Sequence, residues 1–191
     1  MNPPARPPSP SRRDTSLASW LADLPDERLI RLLENRPDLA QPAPGSIAAL
    51  AARAASRQSV KAAADDLDYL CLTVLDALLV LRADHHPVGL DEVESLLGGR
   101  APMPDLQAAL DELRDRALAW GDDDFRVAAE AGAALPWFPG QAAVEDPHRS
   151  AAELTDAIGH LDDPARDVLE RLVVGSPVGR TRDAAPGTPA G

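Results

Sequence analysis

Residues 67–128 decide the fold, and they read LDYLCLTVLDALLVLRADHHPVGLDEVESLLGGRAPMPDLQAALDELRDRALAWGDDDFRVA. The first part spaces its apolar side chains three or four residues apart, which makes one stripe on a helix. The sequence HHPVG at 85–89 interrupts that spacing, since proline cannot continue a helix. The predicted stripe consists of Leu67, Leu70, Cys71, Val74, Leu75, Leu78 and Leu81.

Two shorter helices follow within the same stretch. The second has Leu90, Val93 and Leu97 on one face, and the pair Gly98-Gly99 stops it. The third follows the prolines at 102 and 104. Its buried face is predicted to comprise Leu106, Leu110, Leu113 and Ala117.

The apolar period then changes from helical to alternating. Leu118 and Trp120 precede an acidic turn at 121–124, and Phe125 and Val127 follow it. Alternation on both sides of a turn predicts a two-stranded hairpin that packs by one face. The protein is therefore predicted to be mainly α, with a winged helix-turn-helix at 67–130 built from three short helices and a small β-hairpin.

A helical N-terminal preface is predicted at 15–66, before the winged helix. Thr15 or Ser16 is placed to cap the first of its helices, and Ser46 is placed to cap a later one. The preface is small and rich in alanine, so we expect it to pack against the winged helix rather than to fold alone. Its second helix is predicted to bury Leu29, Ile30, Leu32 and Leu33.

Three other segments lack the regular apolar spacing of residues that form a hydrophobic core. Residues 1–14 contain five prolines and are predicted to form a disordered tail, as are residues 176–191. Residues 131–149 are predicted to be a linker. Its Trp137 and Phe138 are expected to pack against the preceding domain, and a recognition loop is the alternative.

The segment at 150–175 repeats part of the winged helix. Leu161-Asp162 repeats Leu67-Asp68 after 94 residues, and Pro177-Val178-Gly179 repeats Pro87-Val88-Gly89 after 90. Such self-similarity predicts the first helices of a second, incomplete copy. We expect the chain to be a fragment of something longer; the alternative is a truncated form whose last helix docks on the first module.

The charge of the chain opposes binding to nucleic acid. Formal net charge is −12, from 31 acidic and 19 basic residues. Residues 57–130 alone contain 16 acidic and 7 basic residues. A phosphate backbone repels such a surface unless the basic groups cluster in space. The basic residues that could form such a cluster are Arg53, Arg57, Lys61, Arg100, Arg114, Arg116 and Arg126.

No sequence pattern indicates an active site. The chain contains neither a phosphate-binding Gly-x-x-x-x-Gly-Lys loop nor a Gly-x-Ser-x-Gly elbow. His85 and His86 lack a third ligand at metal-binding spacing. We therefore expect no catalytic, cofactor-binding or metal-binding residues. The single cysteine, Cys71, and the lack of a long apolar run predict a cytoplasmic protein that contacts no membrane.

The third helix and the hairpin turn carry the candidate partner-binding residues. Because both are acidic, a protein partner is the leading hypothesis. The alternative is a DNA-binding regulator that reads duplex through Gln107, Arg114 and Arg116 and places its wing on the backbone. A remnant without a role is a third, weaker reading. The candidate residues are Gln107, Asp111, Glu112, Arg114, Arg116, Asp122, Asp123 and Asp124.

Four short segments carry a family resemblance. They are SLASWL at 16–21, LLENRPDL at 32–39, LAARA at 50–54 and LDYLCLTVL at 67–75. Together they resemble the N-terminal part of actinobacterial helicase-associated proteins, which are related to the N-terminal domain of XPB-type repair helicases. The resemblance implies tandem winged helices, a non-catalytic role in DNA repair or DNA processing, and a helicase or other DNA-processing protein as partner. None of the matching motifs is catalytic.

Overall fold

The structure is a computed structural model that describes residues 15–143 and 151–174. Predictions for 1–14, 144–150 and 175–191, both tails among them, lie outside these residues. The described part is mainly helical, with one small antiparallel sheet of three strands. In chain order the elements are α1 (Leu17–Asp23), α2 (Asp26–Asn35), α3 (Pro37–Ala40), α4 (Ile47–Ala54), α5 (Arg57–Ala64), α6 (Tyr69–Val80), β1 (Val88–Gly89), α7 (Leu90–Leu97), α8 (Met103–Asp115), β2 (Ala119–Trp120), β3 (Asp124–Val127), a 3-10 helix (Ala131–Ala134), α9 (Ala151–Gly159) and α10 (Asp163–Val174).

The predicted serine caps start α1 and α4. The Ser16 hydroxyl accepts a hydrogen bond from the Ser19 N–H at 3.1 Å, and the Ser46 hydroxyl accepts one from the Ala49 N–H at 3.2 Å. Each bond satisfies a backbone donor that has no partner within its helix.

The buried face of α2 is narrower than predicted. Leu32 is buried and Leu29 and Leu33 are partly buried, but Ile30 is 56% exposed. A helix turns by about 100° per residue, so the three leucines share one face and Ile30 points away from it. The inclusion of Ile30 in the apolar side was wrong.

Arg36 is a buried cation that joins the N-terminal helices to α5 and α8. Its side chain is 1% exposed and binds both carboxylate oxygens of Asp38, at 2.9 and 3.1 Å. It also donates to the backbone carbonyls of Arg116 at 2.6 Å and Ser59 at 3.2 Å. The RPDL sequence at 36–39 thus has a packing function here.

The same contacts hold Asp38 in its charged form. Burial acts to raise the pKa of Asp38, but the hydrogen bonds from Arg36 and Ser59 and the Arg36 charge outweigh it. The pKa of Asp38 consequently lies below its ordinary value.

Helix α6 forms the centre of the molecule, because every residue from Cys71 to Leu78 is buried. The buried surface of α6 is therefore wider than the single apolar stripe that the sequence predicts. The helix also starts later than predicted: Leu67 precedes it, and Asp68 caps it by accepting from the Cys71 N–H at 2.8 Å.

The predicted hairpin is present, and it belongs to a larger sheet. Strands β2 and β3 pair with Ala119 opposite Val127, and β1 joins the other side of β3 with Val88 opposite Phe125. The strand order is β1-β3-β2. A two-residue strand is too short to show alternation, so sequence analysis missed β1.

The turn between β2 and β3 requires glycine at its first position. Gly121 has a φ of +107°, and a Cβ atom there would overlap the backbone carbonyl oxygen of Asp124. An L-residue rarely adopts this backbone conformation, so the turn shape depends on Gly121.

Residues 131–143, predicted as the start of a linker, pack against α5 and α6. Ala131 and Ala143 are 0% exposed. Two charged side chains hold the segment. Asp76 accepts from the N–H groups of residues 140, 142 and 143, and Arg100 donates to the carbonyls of residues 142 and 143.

The two aromatic residues of this segment differ in environment. Trp137 is partly buried and lies 5.7 Å from the ring of Tyr69, centroid to centroid. Phe138 is 79% exposed. The expectation that both pack against the preceding domain holds for Trp137 and is wrong for Phe138.

Helices α9 and α10 follow α5 and α6 at a constant offset. Helix α10 has the same 12-residue length as α6 and starts 94 residues later. Its N-cap is also equivalent, since Asp162 accepts from the Ala165 N–H at 2.9 Å. The likeness thus extends to local structure, while the completeness of a second copy stays a prediction. Within the described ranges no helix is long and apolar enough to cross a membrane.

Candidate partner-docking groove

A groove of about 620 Å³ lies between α7, α8 and the β2–β3 turn. Helix α7 contributes one wall, and the first three turns of α8 contribute the other. Residues 122–124, from the β2–β3 turn and the start of β3, also line it. Four apolar side chains line it as well: Leu90, Met103, Leu110 and Phe125.

The charge of the groove is strongly negative. Among the described residues that line it, Arg114 is the one cation, and six are carboxylates. A concave surface lined by charges of one sign concentrates its field and attracts ligands of the opposite sign. The carboxylates are Asp91, Glu94, Asp111, Asp122, Asp123 and Asp124.

Arg114 holds the turn against α8. Its Nε donates to the Gly121 carbonyl at 2.8 Å, and its Nη2 donates to the Asp122 carbonyl. Its Nη1 pairs with Asp111 at 3.0 Å, and its guanidinium carbon lies 4.6 Å from the centre of the Phe125 ring. The donors of Arg114 are thus engaged within the protein, so this side chain positions the acidic turn.

Two of the eight predicted residues lie away from the groove. Arg116 pairs with Glu112 at 2.6 Å and donates to the Ala63 carbonyl at 3.5 Å, which places both on the side of α8 that faces α5. Residues 107, 111 and 114 share one helical face, whereas 112 and 116 share another. The structure therefore separates Glu112 and Arg116 from the other six, which all line the groove.

The α7 wall of the groove was not predicted from the sequence. Asp91 and Glu94 are exposed and lie three residues apart, outside the face of α7 that buries Val93 and Leu97. That spacing predicts one polar face. It does not tell which other element the face meets, so these carboxylates could not be assigned to the site from sequence.

Several of the basic residues considered for DNA binding donate hydrogen bonds to backbone carbonyls. Arg53 donates to Leu39 at 3.0 Å and to Pro42 at 2.6 Å. Arg126 donates to Ala83 at 2.9 Å and to Asp84 at 3.1 Å. Such arginines stabilise loops and present fewer donors to an external phosphate.

The other residues considered for catalysis or metal binding lie outside the groove. Cys71 is buried, and burial, together with the nearby Asp68, raises the pKa of its thiol, which disfavours the reactive thiolate. His85 is exposed and lies 2.9 Å from Asp84 on the turn after α6. In the part of the chain that the structure describes, no three His, Cys, Asp or Glu residues are arranged to hold a metal ion.

Comparisons of the chain with models of protein families, with curated proteins and with solved structures found no match.

Proposed function

We propose that residues 67–128 form a winged helix and that its acidic groove docks an arginine- or lysine-bearing segment of another protein. The order of elements supports the first part. A helix, a short strand, two helices and two strands follow one another, and the first strand pairs with the last. The three helices and the hairpin of this order support a winged helix, and the short strand β1 was not part of the prediction.

One observation carries the second part of the proposal: six carboxylates and an engaged arginine line a single groove beside apolar side chains. An arginine segment would pair its guanidinium groups with the carboxylates and pack its methylene groups on the partly exposed Leu90 and Met103. A DNA phosphate placed there would meet like charge from α7, α8 and the turn.

The proposed cellular role is based on the resemblance of the sequence to helicase-associated proteins. The proposed role is a non-catalytic adaptor in DNA repair or DNA processing, whose partner is a helicase or another DNA-processing protein with an exposed basic segment. No cofactor is needed for this role.

Fluorescence anisotropy with a labelled arginine-rich peptide tests the proposal. Asp122 and Asp123 are exposed on the turn, so Asp122→Asn with Asp123→Asn removes two charges without removing a buried contact. Exposed ion pairs contribute about 0.2–1 kcal/mol each, so we expect the loss of two of them to lower the affinity by about two- to thirtyfold. Asp65→Asn with Asp66→Asn is the matched control, since it makes the same charge change at an exposed turn outside the groove.

An equal loss in both double variants would show that only net charge matters, and it would contradict docking in the groove. Co-purification of the chain with a purified helicase, measured with the same two double variants, tests the partner class. The proposal expects the groove variant alone to lose the helicase.

A further inference from the structure

We infer that α9 and α10 join two copies of this chain, through an apolar face that pairs with the same face of a second copy. None of the residues of this face lines the acidic groove, so the inference does not rest on the proposed function. The α9–α10 face consists of Leu154, Ile158, Leu161, Ala165, Val168, Leu169 and Leu172.

The internal repeat shows that the α9–α10 face has the residue pattern of a core. At the offset of 94 residues, Leu154 and Ile158 correspond to Val60 and Ala64 on α5, which are 0% and 5% exposed. The other positions of the face also correspond to buried residues, which are Leu67, Cys71, Val74, Leu75 and Leu78. The face therefore repeats, position by position, side chains that the first copy buries.

The two copies differ in what covers these positions. Helix α5 packs against α4 and the 3-10 helix, and α6 packs against α7 and α8. Within residues 15–143 and 151–174, α9 has no such extensive contact with another element, and α10 has one, with α6. Leu154 and Ile158 are consequently 42% and 44% exposed. Removal of aliphatic side chains from water is favourable, so a surface that covers this face would be bound.

The rest of the chain does not provide that surface. Residues 1–14, 144–150 and 175–191 contain no leucine, isoleucine or phenylalanine. The leucines of α8 are already buried in the first copy. Among the described residues outside α9 and α10, the exposed large apolar side chains are single ones on separate segments: Ile30, Tyr69 and Phe138. A second copy, in contrast, brings the α9–α10 face itself, with aliphatic side chains of the same kind.

The charges of the two helices allow this pairing. A helix turns by about 100° per residue, so Asp156 lies on the far side of α9 from Leu154 and Ile158. By the same rotation, Asp163 and Asp167 lie on the far side of α10 from its apolar positions. These carboxylates therefore do not oppose one another when the two faces meet. A two-fold axis that pairs one surface with itself is also the commonest symmetry of protein oligomers.

Sedimentation equilibrium of the full chain tests the pairing. We expect a monomer–dimer equilibrium that strengthens as salt rises, because each chain has a net charge of −12 and salt screens the repulsion between copies. Leu154→Ser with Ile158→Ser should raise the dissociation constant of the dimer by about tenfold or more, as truncation at the centre of an interface does. Circular dichroism checks that this variant keeps its fold. The matched control, Ile30→Ser with Phe138→Ser, removes two exposed apolar side chains elsewhere and should leave the constant unchanged.

Paramagnetic broadening locates the interface without removing an apolar contact. A nitroxide on His160→Cys labels the exposed residue that follows α9, and the burial of Cys71 keeps the label off the natural thiol. Mixed with isotope-labelled chains that carry no nitroxide, the spin-labelled chains should broaden the amide signals of Leu154, Ile158 and Leu161.

The outcomes separate this inference from the proposed function. A monomer at every concentration, or a dimer that Leu154→Ser with Ile158→Ser leaves unchanged, would overturn the inference. A monomer that holds a different protein on these two side chains would overturn it too, since the occupant would not be a second copy. The Asp122→Asn, Asp123→Asn variant should dimerise like the natural chain while its peptide binding falls, so either claim can fail without the other.

Discussion

Removal of the Asp76 carboxylate should cost more stability than any surface change on this protein. Asp76 is 0% exposed, and its two oxygens accept hydrogen bonds from the N–H groups of Gly140 at 2.5 Å and of Ala142 and Ala143 at 2.9 Å each. Asp76→Ala would leave these donors without their acceptor and would open space beside α6. The segment that carries Trp137 would then lose its main polar anchor.

The size of the effect follows from those three bonds. A hydrogen bond to a charged group contributes about 1.5–3 kcal/mol, but three bonds on one carboxylate do not add in full. The charge itself is costly to bury, which reduces the net gain. We expect Asp76→Ala to lower the free energy of unfolding by about 3–5 kcal/mol. Asp76→Asn keeps the shape but turns an acceptor into a donor, so its cost should be about 2–4 kcal/mol.

Urea denaturation followed by circular dichroism measures this loss, and amide hydrogen exchange at Gly140, Ala142 and Ala143 locates it. Asp65→Ala is the control, since Asp65 is exposed and should change stability by no more than about 0.5 kcal/mol. A loss below about 1 kcal/mol for Asp76→Ala, with unchanged exchange at the three amides, would refute the reasoning.

Three further predictions concern the core, the turn and pH. Leu75→Ala should cost about 2–5 kcal/mol in denaturation experiments, because Leu75 is 0% exposed at the centre of α6; full stability would contradict its burial. Gly121→Ala should cost about 1–3 kcal/mol and weaken peptide binding, since the turn must move; unchanged affinity would count against the role of the turn. Because folding lowers the pKa of Asp38, its stabilisation is present above the unfolded pKa of 3.8 and is lost as pH falls through the folded pKa. The stability difference between the natural chain and Asp38→Asn should therefore be constant near neutral pH and shrink below pH 3.8, and a constant difference down to pH 2 would contradict it.

Local signals in the sequence predicted the helices well. Serine caps, glycine stops and three-to-four spacing are properties of neighbouring residues, so α4, α7 and the buried face of α8 agree with their patterns, although α8 starts at Met103 and not after Pro104. The hairpin could also be predicted, since alternation and a glycine turn are local. The burial of α6 on all sides could not be predicted, because it depends on helices and a loop that are distant in sequence. The role of residues 131–143 was missed for the same reason.

The candidate site was predicted in part. Gln107, Asp111 and the aspartates of the turn belong to the predicted third helix and hairpin turn, and they do line one groove. Arg114 was chosen as a possible DNA contact, but its bonds to residues 121 and 122 give it a structural role. The sequence shows that a side chain is charged, but it does not show which backbone carbonyls the side chain binds. Those contacts decide whether an arginine is free to bind a partner.

Equilibrium binding of an arginine-rich peptide and of duplex DNA to the same preparation, across a range of salt concentrations, tests the central claim most directly. The groove should bind the peptide at low salt, with an affinity that falls as salt rises and falls further in the Asp122→Asn, Asp123→Asn variant. Duplex should bind more weakly at every salt concentration, because carboxylates line the face that it would contact. Tighter binding of duplex than of peptide would contradict the account.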